Sequence, residues 1–103
     1  MTYIKYLRLL FLTIFLAALA GCGKAPIADF SWEPVQPKAG QPVTFKNLSV
    51  NARSYSWNFG DMSIGSEANP THVYTRPGNY IVDLRASKGI GSDEKTVTIV
   101  VTE

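Results

Sequence analysis

Two different rhythms of apolar and polar residues divide this chain. From Leu9 to Leu19 the residues are apolar with the single exception of Thr13, a block too uniform for an amphipathic element. From about Ile27 onward the pattern changes to short alternations. Tyr55, Trp57 and Phe59 alternate with Ser54, Ser56 and Asn58. Tyr80, Val82, Leu84 and Ala86 alternate with Ile81, Asp83, Arg85 and Ser87. Val97, Ile99 and Val101 alternate with Thr96, Thr98 and Val100. A period of two puts one set of side chains on one face of a strand, so each run predicts a half-buried strand. Shorter strands are expected around Val43 to Leu48 and around His72 to Tyr74. Pro37-Lys38-Ala39-Gly40-Gln41-Pro42, Gly60-Asp61, Arg76-Pro77-Gly78-Asn79 and Lys88-Gly89-Ile90-Gly91-Ser92 carry the turn residues between them. Short strands with turn signals every 8–12 residues or so read as an antiparallel sandwich. No helix of useful length is predicted beyond the leading apolar block.

That block has Lys5 and Arg8 ahead of it and Leu19-Ala20-Gly21-Cys22 behind it. A charged start, a short apolar middle and small residues before a cut form an export signal. Leu-Ala-Gly-Cys resembles the lipobox of bacterial lipoproteins. The resemblance implies cleavage before Cys22, a diacylglycerol on its sulfur and an acylated (palmitate-type) amine. An uncleaved transmembrane helix over Tyr3 to Ala20 is the alternative. It would reach the ~20 residues required, but it would hold Lys5 and Arg8 within the span. The expected organisation is a signal peptide over 1–21, a lipidated N-terminus and tether over 22–26, and one domain over 27–103. Gly23-Lys24-Ala25-Pro26 can span only on the order of 15 Å, so the domain should sit close to the membrane.

Composition alters the picture in two places. Of ten Lys and Arg, the two before the cut depart, leaving eight against eight Asp and Glu. That balance, with no basic run, excludes nucleic acid as an expected partner. Cys22 is the sole cysteine, so the disulfides that stabilise many small exported domains are not available. Packing of Phe30, Trp32, Phe45, Tyr55, Trp57, Phe59, Tyr74 and Tyr80 must hold the domain instead.

The runs Tyr55-Ser56-Trp57-Asn58-Phe59-Gly60-Asp61, Asn69-Pro70-Thr71-His72-Val73-Tyr74 and Arg76-Pro77-Gly78-Asn79-Tyr80-Ile81-Val82 follow one another at characteristic spacings. Together they resemble the PKD (polycystic-kidney-disease) family of Ig-like domains, whose runs are approximately W-D-F-G-D-G, P-x-H-x-Y and P-G-x-Y-x-V. The likeness extends over essentially all of 27–102. It implies an all-β, seven-stranded antiparallel sandwich with Greek-key connections. Two positions depart from the family: Asn58 replaces an aspartate, and Met62 replaces the glycine after Asp61. Methionine does not readily take left-handed dihedrals, so the turn is expected to differ in shape.

The inventory of candidate chemistry is short. Trp57 is expected inside the sandwich, and Tyr80, at a strand start after Pro-Gly, should bond backbone as a corner tyrosine. Asp61 should close a turn by accepting a backbone amide two residues on. Asp29, Asp61 and Asp93 are the hard ligands available to calcium, but no run of alternating carboxylates forms a calcium loop. His72 is the sole histidine and is expected to be a packed or hydrogen-bonded structural residue. No catalytic residue, metal site or cofactor is assigned. Trp32, beside Glu33-Pro34 at a strand end, and Met62 and Ile64, at an apolar loop tip, are the candidate ligand contacts.

The function expected from these residues is a membrane-anchored, non-catalytic interaction module of the bacterial envelope. Its partner would be an unidentified envelope protein or polysaccharide, with the membrane held through Cys22. A purely structural accessory subunit of an envelope complex is the alternative. In two-membrane bacteria an aspartate after the lipidated cysteine retains a lipoprotein in the inner membrane. Gly23 therefore favours the outer membrane in such an organism.

Overall fold

The structure, a computed structural model, describes residues 24–103. The expected signal peptide and Cys22 lie outside the described residues. The seven strands are β1 (Phe30–Glu33), β2 (Pro42–Asn47), β3 (Ser54–Asn58), β4 (Ile64–Gly65), β5 (Thr71–Val73), β6 (Gly78–Lys88) and β7 (Gly91–Val101). They form two antiparallel sheets, one ordered β1-β2-β5 and the other β4-β3-β6-β7. The expected all-β sandwich is what the residues build.

Alternation assigned the inner faces correctly. Val43, Phe45, Trp57, Phe59, Val82, Leu84, Ile99 and Val101 are all buried. Trp57 is completely buried and sits at the centre of an aromatic cluster. Its ring lies 5.0 Å from Phe30 edge-on, 5.3 Å from Phe45, and 6.0 Å from Phe59 in a parallel stack. Burying rings of this size contributes most of what a domain without disulfides has to offset chain entropy. The indole N–H would be an orphan at that depth; it donates to the Glu67 carbonyl at 2.8 Å.

Three features differ from the sequence reading. The first strand does not begin at Ile27, which makes only an isolated bridge to Val50 before β1 starts at Phe30. The last strand is longer than its apolar half, starting at Gly91 and pairing with β6 along its whole length, Lys88 to Gly91 through Gly78 to Val101. Its polar stretch Ser92 to Lys95 carries no burial signal, so only hydrogen bonding reveals it. Finally β4, two residues long, pairs Ile64 with Asn58 and Gly65 with Trp57, so Ile64 begins a strand rather than ending a loop.

Strand directions define two ends of the sandwich. Residues 24–27, the 48–53 connection and the β6–β7 turn meet at one end, as the Ile27–Val50 bridge and the Arg53 to Ser87 backbone bond show. The 34–41 connection, the 59–63 loop, residues 74–79 and the C-terminus lie at the other, where Ala39 bonds Thr102 and Gly40 bonds Tyr74. Eleven residues of β6 at about 3.3 Å each separate the ends by roughly 35 Å.

Candidate functional site

At the end away from the chain's start, β3 runs into a tight loop built by short-range bonds. Asn58 Oδ1 accepts the Gly60 amide at 3.0 Å, and Asp61 Oδ1 accepts the Ser63 amide at 3.2 Å. The Phe59 amide donates to Ser63 O at 3.0 Å and closes the loop. Gly60 is required here: its φ is +85°, and a Cβ would stand 2.4 Å from the Ile81 carbonyl oxygen. Met62 also has a positive φ, +72°. The expectation of a differently shaped turn is therefore corrected, because Met62 occupies the left-handed conformation that a glycine would. The bonds on either side over-determine the backbone, and the strain, about 1–2 kcal/mol for a residue with a Cβ, is absorbed by them.

The loop is tied to the opposite sheet by its acidic residue. His72 Nε2 donates to Asp61 Oδ2 at 2.7 Å. The imidazole stacks on Phe59 at 4.3 Å and meets the Tyr74 ring edge-on at 4.8 Å. Partial burial pushes the Asp61 carboxyl up, but hydrogen bonds from His72 and the Ser63 amide outweigh it and hold the group below its usual range. Tyr74, buried, donates its hydroxyl to the Phe59 carbonyl at 2.8 Å. Burial first, and then the nearby Asp61 charge, push its phenol far above the usual tyrosine range. His72 and Asp61 are thus a structural clamp, as the sequence suggested for each. What the sequence did not show is that they clamp each other, because they lie eleven residues apart and are carried by different sheets.

The clamped loop presents apolar side chains to solvent. Met62 is fully exposed and Ile64 is 80% exposed. Ile64 pairs with Asn58 and Asn58 with Asp83, which places Ile64 on the outer face of the four-stranded sheet. Ile81, also exposed, lies on that face two positions along β6 from Asp83.

Trp32 is elsewhere. It pairs with Phe45 in the three-stranded sheet, so the structure does not bring it together with Met62 and Ile64. It is half-buried, its indole 5.9 Å from the Phe30 ring and its N–H donated to the Val35 carbonyl at 3.1 Å. It covers the rim of the core and borders an open groove of about 570 Å³, whose polar lining is Ser31, Glu33, Thr44, Lys46 and Asn69. The three aspartates do not converge: Asp29 and Asp93 are near one another at the end where the described chain begins, and Asp61 is at the other. Asp29 is paired with Lys95, Asp61 with His72, and Asp93 accepts the Ala28 amide at 2.7 Å. The Lys95 hydrogen bond, against a smaller desolvation, holds the Asp29 carboxyl below its usual range.

Tyr80 completes the frame, donating to the Arg76 carbonyl at 2.7 Å across the turn before β6. Two packed antiparallel sheets, a buried tryptophan and this corner bond define an immunoglobulin-like β-sandwich. The sequence profile of the PKD domain matches residues 23–102, and the chain belongs to the PKD domain family. It is 49% identical over 47 residues to collagenase ColA of Bacillus cereus, covering 46% of this chain and 5% of the collagenase. To the pre-pro-metalloprotease PrtV of Vibrio cholerae it is 35% identical over 78 residues, 75% of this chain and 8% of the protease. The solved PKD1 domain of that protease superposes with a TM-score of 0.65 at 34% identity, over 78% of this chain and 100% of the domain. A structure described as a carbohydrate-binding module of the β-sandwich superfamily gives a TM-score of 0.73 at 33% identity, over 78% of this chain and 35% of that one. The chain therefore spans less than a tenth of the length of these proteases.

Proposed function

We propose that this protein is a non-catalytic interaction module, anchored to a bacterial membrane through a lipid on Cys22, that binds an envelope protein with the Met62–Ile64 tip. The observation that carries the reading is Met62 itself. A fully exposed methionine with a left-handed backbone gains nothing from the fold and costs it strain, whereas an apolar side chain on a rigid loop suits insertion into a partner's pocket. Rigidity matters because a loop already fixed by Asn58, Asp61 and His72 loses little entropy on binding. The relatives support a module of this kind, since the likeness covers only 5% and 8% of the two proteases. Outer-membrane residence is favoured by Gly23 in a two-membrane organism.

A polysaccharide partner in the groove beside Trp32 is a second reading. It is favoured by the polar lining of that groove and by the likeness to a carbohydrate-binding module structure. Co-purification from detergent-solubilised envelopes separates the readings. Met62→Ser and Ile64→Ser should lose a protein partner that Trp32→Tyr retains, whereas a glycan bound by stacking should be weakened by the Trp32 change alone. Retention of every partner by all three variants would favour a purely structural subunit.

A further inference from the structure

The end of the sandwich where the described chain begins is unlike the rest of the surface. Lys24, Arg53 and Lys88 border a cleft of about 540 Å³ there, together with Pro26, Ile90 and Gly91, and among the described residues no carboxylate lines it. The nearest acidic residues along β7 are otherwise engaged: Asp93 accepts the Ala28 amide and Glu94 pairs with Arg85 at 3.4 Å. In a mature chain whose charges balance, a site of three cations without an anion is a local asymmetry. At the tip of the β6–β7 turn, Ile90 stands fully exposed beside Lys88.

We infer that this end is a membrane-docking face, with Lys24, Arg53 and Lys88 against anionic phospholipid headgroups and Ile90 inserted among them. The inference rests on the reading that Cys22 is anchored. Cys22 is two residues before Lys24, at most about 7 Å of chain. A lipid on Cys22 therefore holds Lys24 within one Debye length, about 8–10 Å, of the headgroups, and Arg53 and Lys88 line the same cleft as Lys24. The Met62 tip is outside that range: its loop meets β6 at Ile81, seven residues or about 23 Å along the strand from Lys88. Basic side chains around an apolar tip are the combination that binds an anionic bilayer surface. The consequence is orientation: the sandwich stands on its tether end and holds Met62 and Ile64 outward, toward a partner.

The piece 22–103 is suitable for the test, because the whole core lies within Ala28–Val101 and the similar Vibrio PKD1 domain is a solved structure by itself. Its single thiol can be coupled to a maleimide-headgroup lipid, so the experiment does not depend on natural acylation. An Ile90→Trp variant is coupled to vesicles with brominated acyl chains, made either of phosphatidylcholine alone or with an equal part of phosphatidylglycerol. Emission from the introduced indole should be quenched only with phosphatidylglycerol. Exchange of Lys24, Arg53 and Lys88 for Gln should weaken docking about fivefold each, near a hundredfold together, and abolish the quenching. Lys38→Gln with Arg76→Gln, at the opposite end, should not. Equal quenching in both lipids, none in either, or quenching that survives loss of the three cations would overturn the docking face. So would an emission change that follows protein density on pure phosphatidylcholine, which would indicate contact between copies. Failure of natural lipidation is read separately, by incorporation of labelled palmitate into the full chain.

Discussion

His72 and Asp61 join the two sheets through a single bond, Nε2 to Oδ2 at 2.7 Å, at the base of the loop that carries Met62. His72 belongs to β5 of the three-stranded sheet, and Asp61 follows β3 of the four-stranded one. The same carboxylate also accepts the Ser63 amide, so one side chain sets the loop's shape and its attachment. The tip's position relative to the core thus depends on an ionised aspartate.

Acid should loosen this clamp. The Asp61 carboxyl is held below its ordinary value of 3.8 in the folded protein. A depressed folded value means that its contribution is fully present above the unfolded value and lost as pH falls through the folded one. Thermal melts of wild type and Asp61→Asn should therefore differ by a nearly constant amount from neutral pH down to about pH 5. The difference, on the order of 1 kcal/mol, should shrink below pH 4 or so as the wild-type carboxyl protonates. A gap that stayed constant to pH 2 or so would show that the charge of Asp61 is not what holds the loop.

Trp57 tests the core. Trp57→Ala should cost about 3–5 kcal/mol, a large part of the total stability expected of so small a domain. The 23–103 piece carrying it should lose its cooperative melt and near-ultraviolet circular dichroism. An unchanged melting curve would contradict the central packing of its ring against Phe30, Phe45 and Phe59.

Two neighbouring positive-φ residues should respond oppositely to substitution. Gly60→Ala places a methyl 2.4 Å from the Ile81 carbonyl and should destabilise by at least about 2 kcal/mol, since β6 backbone has to move. Met62→Gly relieves a left-handed Cβ and meets no packing, so it should stabilise by up to about 1 kcal/mol after the added chain entropy. If that variant also loses the envelope partner, the strain at Met62 is explained by binding. Destabilisation by Met62→Gly would mean that the exposed side chain supports the loop after all.

The parts of the structure that were legible in the sequence are those where chemistry repeats at short range. Tyr55 to Phe59 and Tyr80 to Ala86 declare their inner faces by alternation, and Pro77-Gly78 ahead of Tyr80 declares a corner. Asp61 declared its turn because its acceptor lies two residues from the amide it takes. The rest depends on pairing between distant residues. The Asp61–His72 bond, the Lys95–Asp29 pair and the Ala28–Asp93 bond each join segments with no local pattern linking them. The same holds for the cationic end: Lys24, Arg53 and Lys88 are spread over most of the domain in sequence, and only the β6–β7 turn and the Ile27–Val50 bridge bring them to one place. At Met62 a dihedral preference alone gives the wrong turn shape, because the bonds on either side hold the backbone left-handed.

Cys22 decides whether any of this happens at a membrane. The proposed lipidation and acylation would attach two or three chains at Cys22, and each buried methylene contributes about 0.8 kcal/mol, so release should be negligible over a cell's lifetime. Wild-type chain expressed in a bacterium that processes lipoproteins should appear wholly in the membrane fraction. Its N-terminal peptide should start at residue 22 and carry the mass of the acyl groups. Cys22→Ser should leave the precursor uncleaved, because the peptidase acts on the lipidated cysteine, and should incorporate no labelled palmitate. An unmodified thiol at residue 22 in the membrane fraction would instead point to residues 3–20 as a retained span. In that case Lys24, Arg53 and Lys88 would still lie within reach of the headgroups, and the Met62 tip would still face outward. An unmodified thiol in the soluble fraction would remove the membrane from the argument, leaving the tip's partner to be found in solution.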